Sequence, residues 1–423
     1  MRLLYSLAWW LALPLVLARL WWRGRIEPGY RAHLAERFGL YRPIPLNRTR
    51  SLIWVHAVSV GETRAAEPLI NALLAAYPQH AILLTHMTPA GRATGRALFG
   101  HAASRVVQSW LPYDTGWMTG RFLRHFAPRL CVLMETEVWP NLIAQCARHH
   151  VPVALVNARL SERSLKKARR LSGLFTDAAR RIACVAAQTQ DDAERIRQLG
   201  APNVQVTGSI KFDVTPPDAA LMQGDRMRAQ IGGRPVLLCA ITREGEEALL
   251  LDALDKLDVP GALLLIVPRH PQRFDAVAGM IAGRGLTMMR RSQMGAQPVP
   301  PEVRVLLGDS MGEMFAYHAA SDVVFIGGNL LPLGGHNLIE ACAVGKPVLL
   351  GPHTFNFAAI SEDAIAAGAA LRISDAAGLM REAGRLLRDE KRRSAMGAHA
   401  LAFARQHRGA TERTLALLQP LID

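Results

Sequence analysis

Glu62 stands where an apolar run breaks off. Residues 52–58 are apolar or β-branched around a single histidine, and Ser59-Val60-Gly61-Glu62 follows at once; Ala65, Leu69, Leu73 and Leu74 then recur at helical spacing. The pattern predicts a buried parallel strand, a tight turn and a helix start. A carboxylate is thereby delivered to the carboxyl edge of a parallel sheet, where open α/β folds keep their ligand crevices. The chemistry it suits is that of a general base taking a proton from an attacking hydroxyl, as in a sugar transfer. Ser59-x-x-Glu62 equally fits a capping box, in which serine and glutamate satisfy backbone donors.

Other chemistry-bearing residues stand at similar strand exits. In Gly334-Gly335-His336-Asn337-Leu338-Ile339-Glu340 the paired glycines let a backbone approach a phosphate, and helix-start amides favour an anion. Glu340 could accept hydrogen bonds from the two hydroxyls of a ribose, although Asn337-x-x-Glu340 also fits a capping box. Arg269 follows an apolar run, where a guanidinium can grip a phosphate bidentately. Lys211 follows another run and a Gly-Ser turn; either cation could stabilise charge on a departing phosphate. Glu135 and Glu137 flank one turn, and two acids there are costly unless a sugar or a cation engages them. His336 and His353 fit structural roles as readily as phosphate contact.

These residues need elements to hold them, and the chain supplies a repeating set. Apolar runs at 81–85, 105–111, 130–134, 153–156, 182–187 and 204–208 alternate with helical patterns of ten or so residues. A second series runs through 235–239, 262–267, 303–307, 323–326 and 347–350, each exiting into polar, Gly- or Pro-bearing residues. The alternation predicts two doubly wound parallel sheets. At 423 residues the chain is too long for one ordinary core. The expected division is a membrane anchor over 1–25, a first Rossmann-like domain over 26–213, a linker over 214–234 at Pro216-Pro217, and a second domain over 235–423 including the terminal helices.

The formal net charge of +15 suggests polyanionic partners: nucleic acid, phosphorylated substrates or an anionic membrane surface. No nucleic-acid-binding motif accompanies it, so no nucleic-acid partner is expected. Five cysteines are scattered without a CxxC pair, which reads as buried thiols in a reducing compartment. No HExxH or comparable spacing marks a zinc site. Residues 3–18 carry no charge, and Trp21 and Trp22 precede Arg23 and Arg25. About 20 apolar residues cross a bilayer core, so an uncleaved anchor with a cytoplasmic basic flank is expected; a helix lying in the interface is the rival, because of Pro14 and Arg19. Arg31, Arg37, Arg42, Arg48 and Arg50 interleaved with Tyr30, Phe38 and Tyr41 suit a headgroup surface. So does a basic helix between 159 and 181, carrying Arg163, Lys166, Lys167, Arg169, Arg170 and Arg180.

Taken together, HAVSVGET (56–63), PYD (112–114), METEVWPNL (134–142), NARLS (157–161), TGSIKFD (207–213), EGEE (244–247), LIVPRHPQRF (265–274), GDSMGE (308–313), GGHNLIEA (334–341) and GPHTFNF (351–357) resemble the 3-deoxy-D-manno-octulosonic acid (Kdo) transferases of lipopolysaccharide synthesis over nearly the full length. The resemblance implies an α/β GT-B architecture, two Rossmann-like domains facing a cleft, with no metal and no cofactor. It implies inverting transfer of Kdo from CMP-Kdo to a tetraacylated lipid A precursor, lipid IVA, at the cytoplasmic face of the inner membrane. By position, Glu62 matches the family's proton acceptor, and Glu135 and Lys211 match its transition-state stabilisers. Pro268, Arg269, Met311, Gly312, Glu313, Asn337, Leu338, Ile339 and Glu340 match its CMP-binding segments. Many relatives carry proline at the position of Leu338 and a Ser/Thr-rich stretch at 240–243. Two alternatives stay open: an envelope GT-B enzyme using a UDP-sugar, and a non-catalytic membrane-tethered polyanion binder.

Overall fold

The computed structural model describes residues 1–41, 51–170 and 172–423. The chain divides into two compact units: Met1–Asp213 with Gly409–Asp423, and Val214–Arg408. Among the described residues each unit carries seven parallel strands. In the first these are β1 (Ser51–His56), β2 (His80–His86), β3 (Val106–Trp110), β4 (Leu130–Met134), β5 (Val153–Ala158), β6 (Cys184–Ala187) and β7 (Val204–Val206), in the spatial order β3-β2-β1-β4-β5-β6-β7. In the second they are β8 (Val236–Thr242), β9 (Leu263–Pro268), β10 (Met288–Arg290), β11 (Val305–Leu307), β12 (Val323–Ile326), β13 (Val348–Leu350) and β14 (Ala370–Arg372), in the order β10-β11-β9-β8-β12-β13-β14.

The long strands are buried on both faces. All five residues of β4 and all six of β9 are buried, as parallel strands covered by helices on either side must be. Two sets of contacts split the first sheet by face. Trp54 and Leu83 pack with Phe122 on one side of the first sheet, while Ile53 and Val55 pack with Leu69 and Leu73 on the other. The strand order reverses direction once in each unit, between β1 and β4 and between β8 and β12. Such reversal points are where open α/β sheets keep their ligand crevices, at the carboxyl edge.

Three features depart from the expected division. The stretch 214–234 expected as linker contains the helix Asp218–Ile231, which packs on the helix Met314–Ala320 of the second unit. A Cβ at Gly224 would meet Ala319 Cβ at 2.4 Å, so the two helices approach closely because that residue is glycine. The last helix, Ala410–Ile422, belongs with the first unit instead of the second: Leu418 and Ile422 enter its core, and Asp213 accepts from Gly409 N at 3.0 Å and Thr411 N at 2.7 Å. The basic segment forms two helices, Glu162–Arg170 and Ser172–Arg180, with Arg163, Lys166, Lys167, Arg169 and Arg170 exposed.

The helix Arg2–Ile26 is long and apolar enough to cross a membrane by length and composition. One stripe of it nevertheless packs on the first unit. Trp9, Leu13, Val16 and Leu20 meet Tyr30, Tyr113 and Met118, and Ser6 Oγ donates to Asn141 Oδ1 at 3.2 Å. Leu4, Leu7, Leu11, Leu15 and Trp22 lie on the other side, each more than half exposed. The expected headgroup surface is only partly there. Arg37 is buried, its guanidinium 3.9 Å from the Trp110 ring centroid, Tyr30 is buried, and Tyr41 stacks on His125. Arg42, Arg48 and Arg50 lie outside the described residues.

Candidate active site

The β1 exit is built around Glu62. Ser59 caps the helix Val60–Ala76, with Glu62 N donating to Ser59 Oγ at 3.5 Å. Glu62 Oε2 accepts from Val58 N at 2.5 Å and Oε1 from Ser59 Oγ at 3.3 Å. The capping arrangement therefore forms, and it does not use up the carboxylate, which offers about four lone-pair sites. Helix-terminus electrostatics alone would favour the charged form. Burial outweighs them: it pushes the Glu62 carboxyl above its ordinary range, opposed by the Val58 hydrogen bond and assisted by the nearby Glu135 charge. A raised carboxylate is the stronger proton acceptor once ionised.

Across the reversal point, β4 ends at Met134 and Glu135 follows in the left-handed region, φ 58°. Its amide donates to Val156 O at 2.9 Å, so the β4–β5 ladder holds the turn. Such backbone costs energy for a residue with a Cβ, and it aims this side chain off the strand direction. Glu135 Oε1 lies 2.6 Å from Lys211 Nζ. Lys211 reaches it from the turn Ile210–Phe212, which packs against the helix Val60–Ala76. That turn is pinned by Asn157, whose Oδ1 accepts from Ile210 N at 3.1 Å and Ser209 Oγ at 3.3 Å. Glu137 completes the group: Trp139 Nε1 donates to it at 2.8 Å. Burial first and the Glu62 charge second push its carboxyl up to about 7. Glu62, Glu135 and Lys211 are thus brought together in one unit, with Glu137 beside them.

The second unit places its candidates around its own reversal point. Thr242 pairs with Pro268 in register, and Arg269 N donates to Thr242 O at 3.0 Å, so Arg243 and Arg269 leave adjacent strands side by side. Gly327 leaves β12 against them; a Cβ there would meet Ile241 O at 2.6 Å, a contact only glycine permits. Glu246, fully buried, ties these exits together. Its Oε2 accepts from Gly328 N at 2.6 Å and Arg243 N at 3.0 Å, and its Oε1 from Leu330 N at 2.9 Å and Asn329 N at 3.0 Å. Asn329 Oδ1 carries the tie on to Gly351 N at 2.8 Å, after β13. His336 sits within the influence of Arg269 and Arg243; burial first, then these cations, press its imidazole down to about 4.

The other expected binding residues behave unequally. Pro268 is buried and ends β9, while Arg269 is exposed. Asn337 Oδ1 accepts from Ile339 N at 3.1 Å, and the helix that follows, Ile339–Ala343, is only five residues long. No reciprocal bond from Glu340 to the Asn337 amide completes a capping box among the described residues. The Glu340 carboxyl is raised by burial. Leu338 and Ile339 are fully buried, so only their backbone can face a ligand. Met311 is exposed and Gly312 is left-handed, φ 80°. Glu313 is already engaged by Gln223, by Ser310 and by Arg291 at 3.2 Å. Arg243 and the positioning amide Asn329 were not singled out in the sequence, and Glu246 entered only within the EGEE motif without a role, because the acids of 244–247 resemble the solvated first turn of any helix.

Residues 32–214 match the family model described as 3-deoxy-D-manno-octulosonic-acid transferase (kdotransferase). The 3-deoxy-D-manno-octulosonic acid transferase of Bordetella pertussis is 47% identical, with 99% of each chain covered. The enzyme of the same name from Haemophilus influenzae is 35% identical, covering 100% of this chain and 99% of its own. Among solved structures, Acinetobacter baumannii MurG superposes with a TM-score of 0.55 at 13% identity, covering 88% of this chain and 99% of its own, a likeness of GT-B fold alone.

Proposed function

The chain belongs to the 3-deoxy-D-manno-octulosonic acid transferases, and from that premise we propose that it transfers Kdo with inversion from CMP-Kdo to a lipid A precursor such as lipid IVA, with Glu62 as the general base and no metal required. The observation that carries this reading is the first-unit reversal point: a carboxylate raised by burial, beside the Glu135–Lys211 ion pair. Glu62 takes the proton of the acceptor hydroxyl while that oxygen attacks the anomeric carbon of Kdo. The bond from that carbon to the phosphate oxygen breaks on the opposite side, and CMP leaves with the electron pair. Lys211, held by Glu135, supplies fixed positive charge near the reacting centre. Arg269 and the backbone of 311–313 and 337–340 hold the nucleotide, and the Glu340 carboxylate meets the ribose.

Mass spectrometry of the lipid A precursor after incubation with enzyme and CMP-Kdo tests the whole reading. The acceptor is expected to gain the mass of one or more Kdo residues, and CMP but not UDP to raise the melting temperature. Hydrolysis of CMP-Kdo with no mass gained by the lipid would overturn the acceptor assignment; stabilisation by UDP alone would overturn the donor.

We place the enzyme on an anionic membrane surface, the cytoplasmic side of the inner membrane in this reading. Because one stripe of Arg2–Ile26 is committed to the first unit and the opposite stripe is exposed and apolar, the helix supports attachment by its outer face, with the exposed basic residues of 163–170 reinforcing it. Lysine in place of Leu7, Leu11 and Leu15 together is expected to release the full-length protein from vesicles containing anionic lipid. Undiminished sedimentation of that variant with vesicles in high salt would refute the assignment.

A further inference from the structure

We propose that Arg243 is a donor-binding, specificity-determining residue that pairs with the carboxylate of the transferred sugar while Arg269 pairs with the neighbouring phosphate; this rests on the CMP-Kdo reading above. The chemistry of the donor sets the requirement. An octulosonic acid linked through its anomeric carbon bears its carboxylate and its phosphate ester oxygen on that same carbon. A pair of cations a few ångströms apart, one for the carboxylate and one for the phosphate, suits this donor, whereas a nucleotide-linked neutral aldose carries no charge on the sugar itself.

The second unit offers that pair. Arg243 and Arg269 follow directly on Thr242 and Pro268, which are partners in register on adjacent strands. Neighbouring strands lie about 4.8 Å apart, and the Arg269 amide bonds to Thr242 O at 3.0 Å. The backbone of Arg243 is locked by Glu246 at 3.0 Å. Its side chain runs beside Gly328, where an added Cβ would meet Arg243 Cγ at 3.6 Å and the His336 ring at 3.0 Å. The first part of the Arg243 side chain therefore lies against the Gly327-Gly328 turn, which His336 also borders.

Among the described residues its guanidinium also has no carboxylate to pair with. Arg273, four residues after Arg269, is held by Glu244 at 3.0 Å and Glu247 at 3.2 Å. Arg243 has no such carboxylate among the described residues, although three acids, Glu244, Glu246 and Glu247, follow it within four positions. A half-buried guanidinium with no carboxylate partner among the described residues is unfavourable until an anion arrives. Ile241, two residues earlier, is β-branched yet left-handed at φ 57°, beside a bulge in the β8–β9 pairing. Strain of this kind persists where surrounding structure enforces it, and it re-aims the residues that follow.

The test uses the full-length enzyme and three variants, Arg243→Gln, Arg243→Lys and Arg269→Ala. For Arg243→Gln the KM for CMP-Kdo is expected to rise roughly tenfold to a hundredfold, as loss of a bidentate charged pair implies. The Kd for CMP, which has the phosphate but no carboxylate, should stay within about twofold. Arg243→Lys, keeping the charge without the fork, should fall between; this variant also carries the test should the glutamine form melt early. Arg269→Ala should weaken both ligands. If Arg243→Gln loses CMP and CMP-Kdo in parallel, Arg243 serves the phosphate and the inference is wrong; an unchanged KM is equally fatal to it. Either result alongside a wild type that transfers Kdo leaves the functional reading intact, whereas a wild type inactive with CMP-Kdo overturns both.

Discussion

Glu62→Gln is expected to lower kcat by roughly 10²–10⁴-fold, the range a positioned general base supplies, while CMP binding by the second unit survives. Glutamine is the informative choice because its amide oxygen can still accept from Val58 N, as Glu62 Oε2 does at 2.5 Å. Alanine would confound loss of the base with loss of a cap, which costs about 1 kcal/mol. The wild-type rate should climb with pH as the raised Glu62 carboxyl ionises, and the glutamine variant should lack that limb. Stability should run the other way. Burial raises the folded pKa of Glu62, and that of Glu137 to about 7, above the ordinary 4.5. Within that window the folded state holds protons the unfolded chain has released, so stability is full below the unfolded value and falls as pH rises through the folded one. Glu62→Gln should flatten part of this fall. A glutamine variant with wild-type turnover would remove Glu62 from the mechanism and leave it a cap.

The long buried strands were legible because an unbroken apolar run such as 130–134 has few other uses. The two edge strands of the second sheet were not: Met288–Arg290 and Ala370–Arg372 are only partly buried and each ends in arginine, so no apolar run marks them. Pro216-Pro217 does interrupt the pattern, but the helix just after it has an apolar stripe that any core would accept. Its partner, the helix Met314–Ala320, lies about 90 residues on. The same ambiguity hid the return of Ala410–Ile422 to the first unit, which depends on Asp213 meeting amides nearly 200 positions away. Site residues at strand exits could be read because apolar run, turn and acid are consecutive, as at Glu62. What could not be read was how each carboxylate is spent. Glu62 and Glu313 look alike in sequence as acids ending a Gly-containing turn. Yet Glu313 is engaged by three side chains, and Glu62 by one amide and one hydroxyl.

Glu246→Ala is expected to be the most damaging single change in the second unit. It would leave the buried amides of Arg243, Gly328, Asn329 and Leu330 without their acceptor. Each orphaned buried donor costs about 1–3 kcal/mol. Even with relaxation and entering water, a loss of about 3–5 kcal/mol is expected, the scale of breaking a buried charge network. Calorimetry of the full-length protein should show it as a melting transition lowered by about 10 °C or more. Glu246→Gln is no conservative replacement here, because each wild-type oxygen accepts from two amides. A glutamine would turn an NH2 group toward two other donors. Where the glutamine variant still folds, the exits of β8 and β12 lose their common tether, so Arg243 and the Gly327-Gly328 turn are no longer fixed relative to Arg269. The KM for CMP-Kdo should then rise by about tenfold or more, with kcat at saturating donor changed far less, since positioning of the donor and not proton transfer is what fails. A Glu246→Gln protein with wild-type melting and wild-type KM would mean that the four amides find other partners, and that the donor crevice does not depend on this carboxylate.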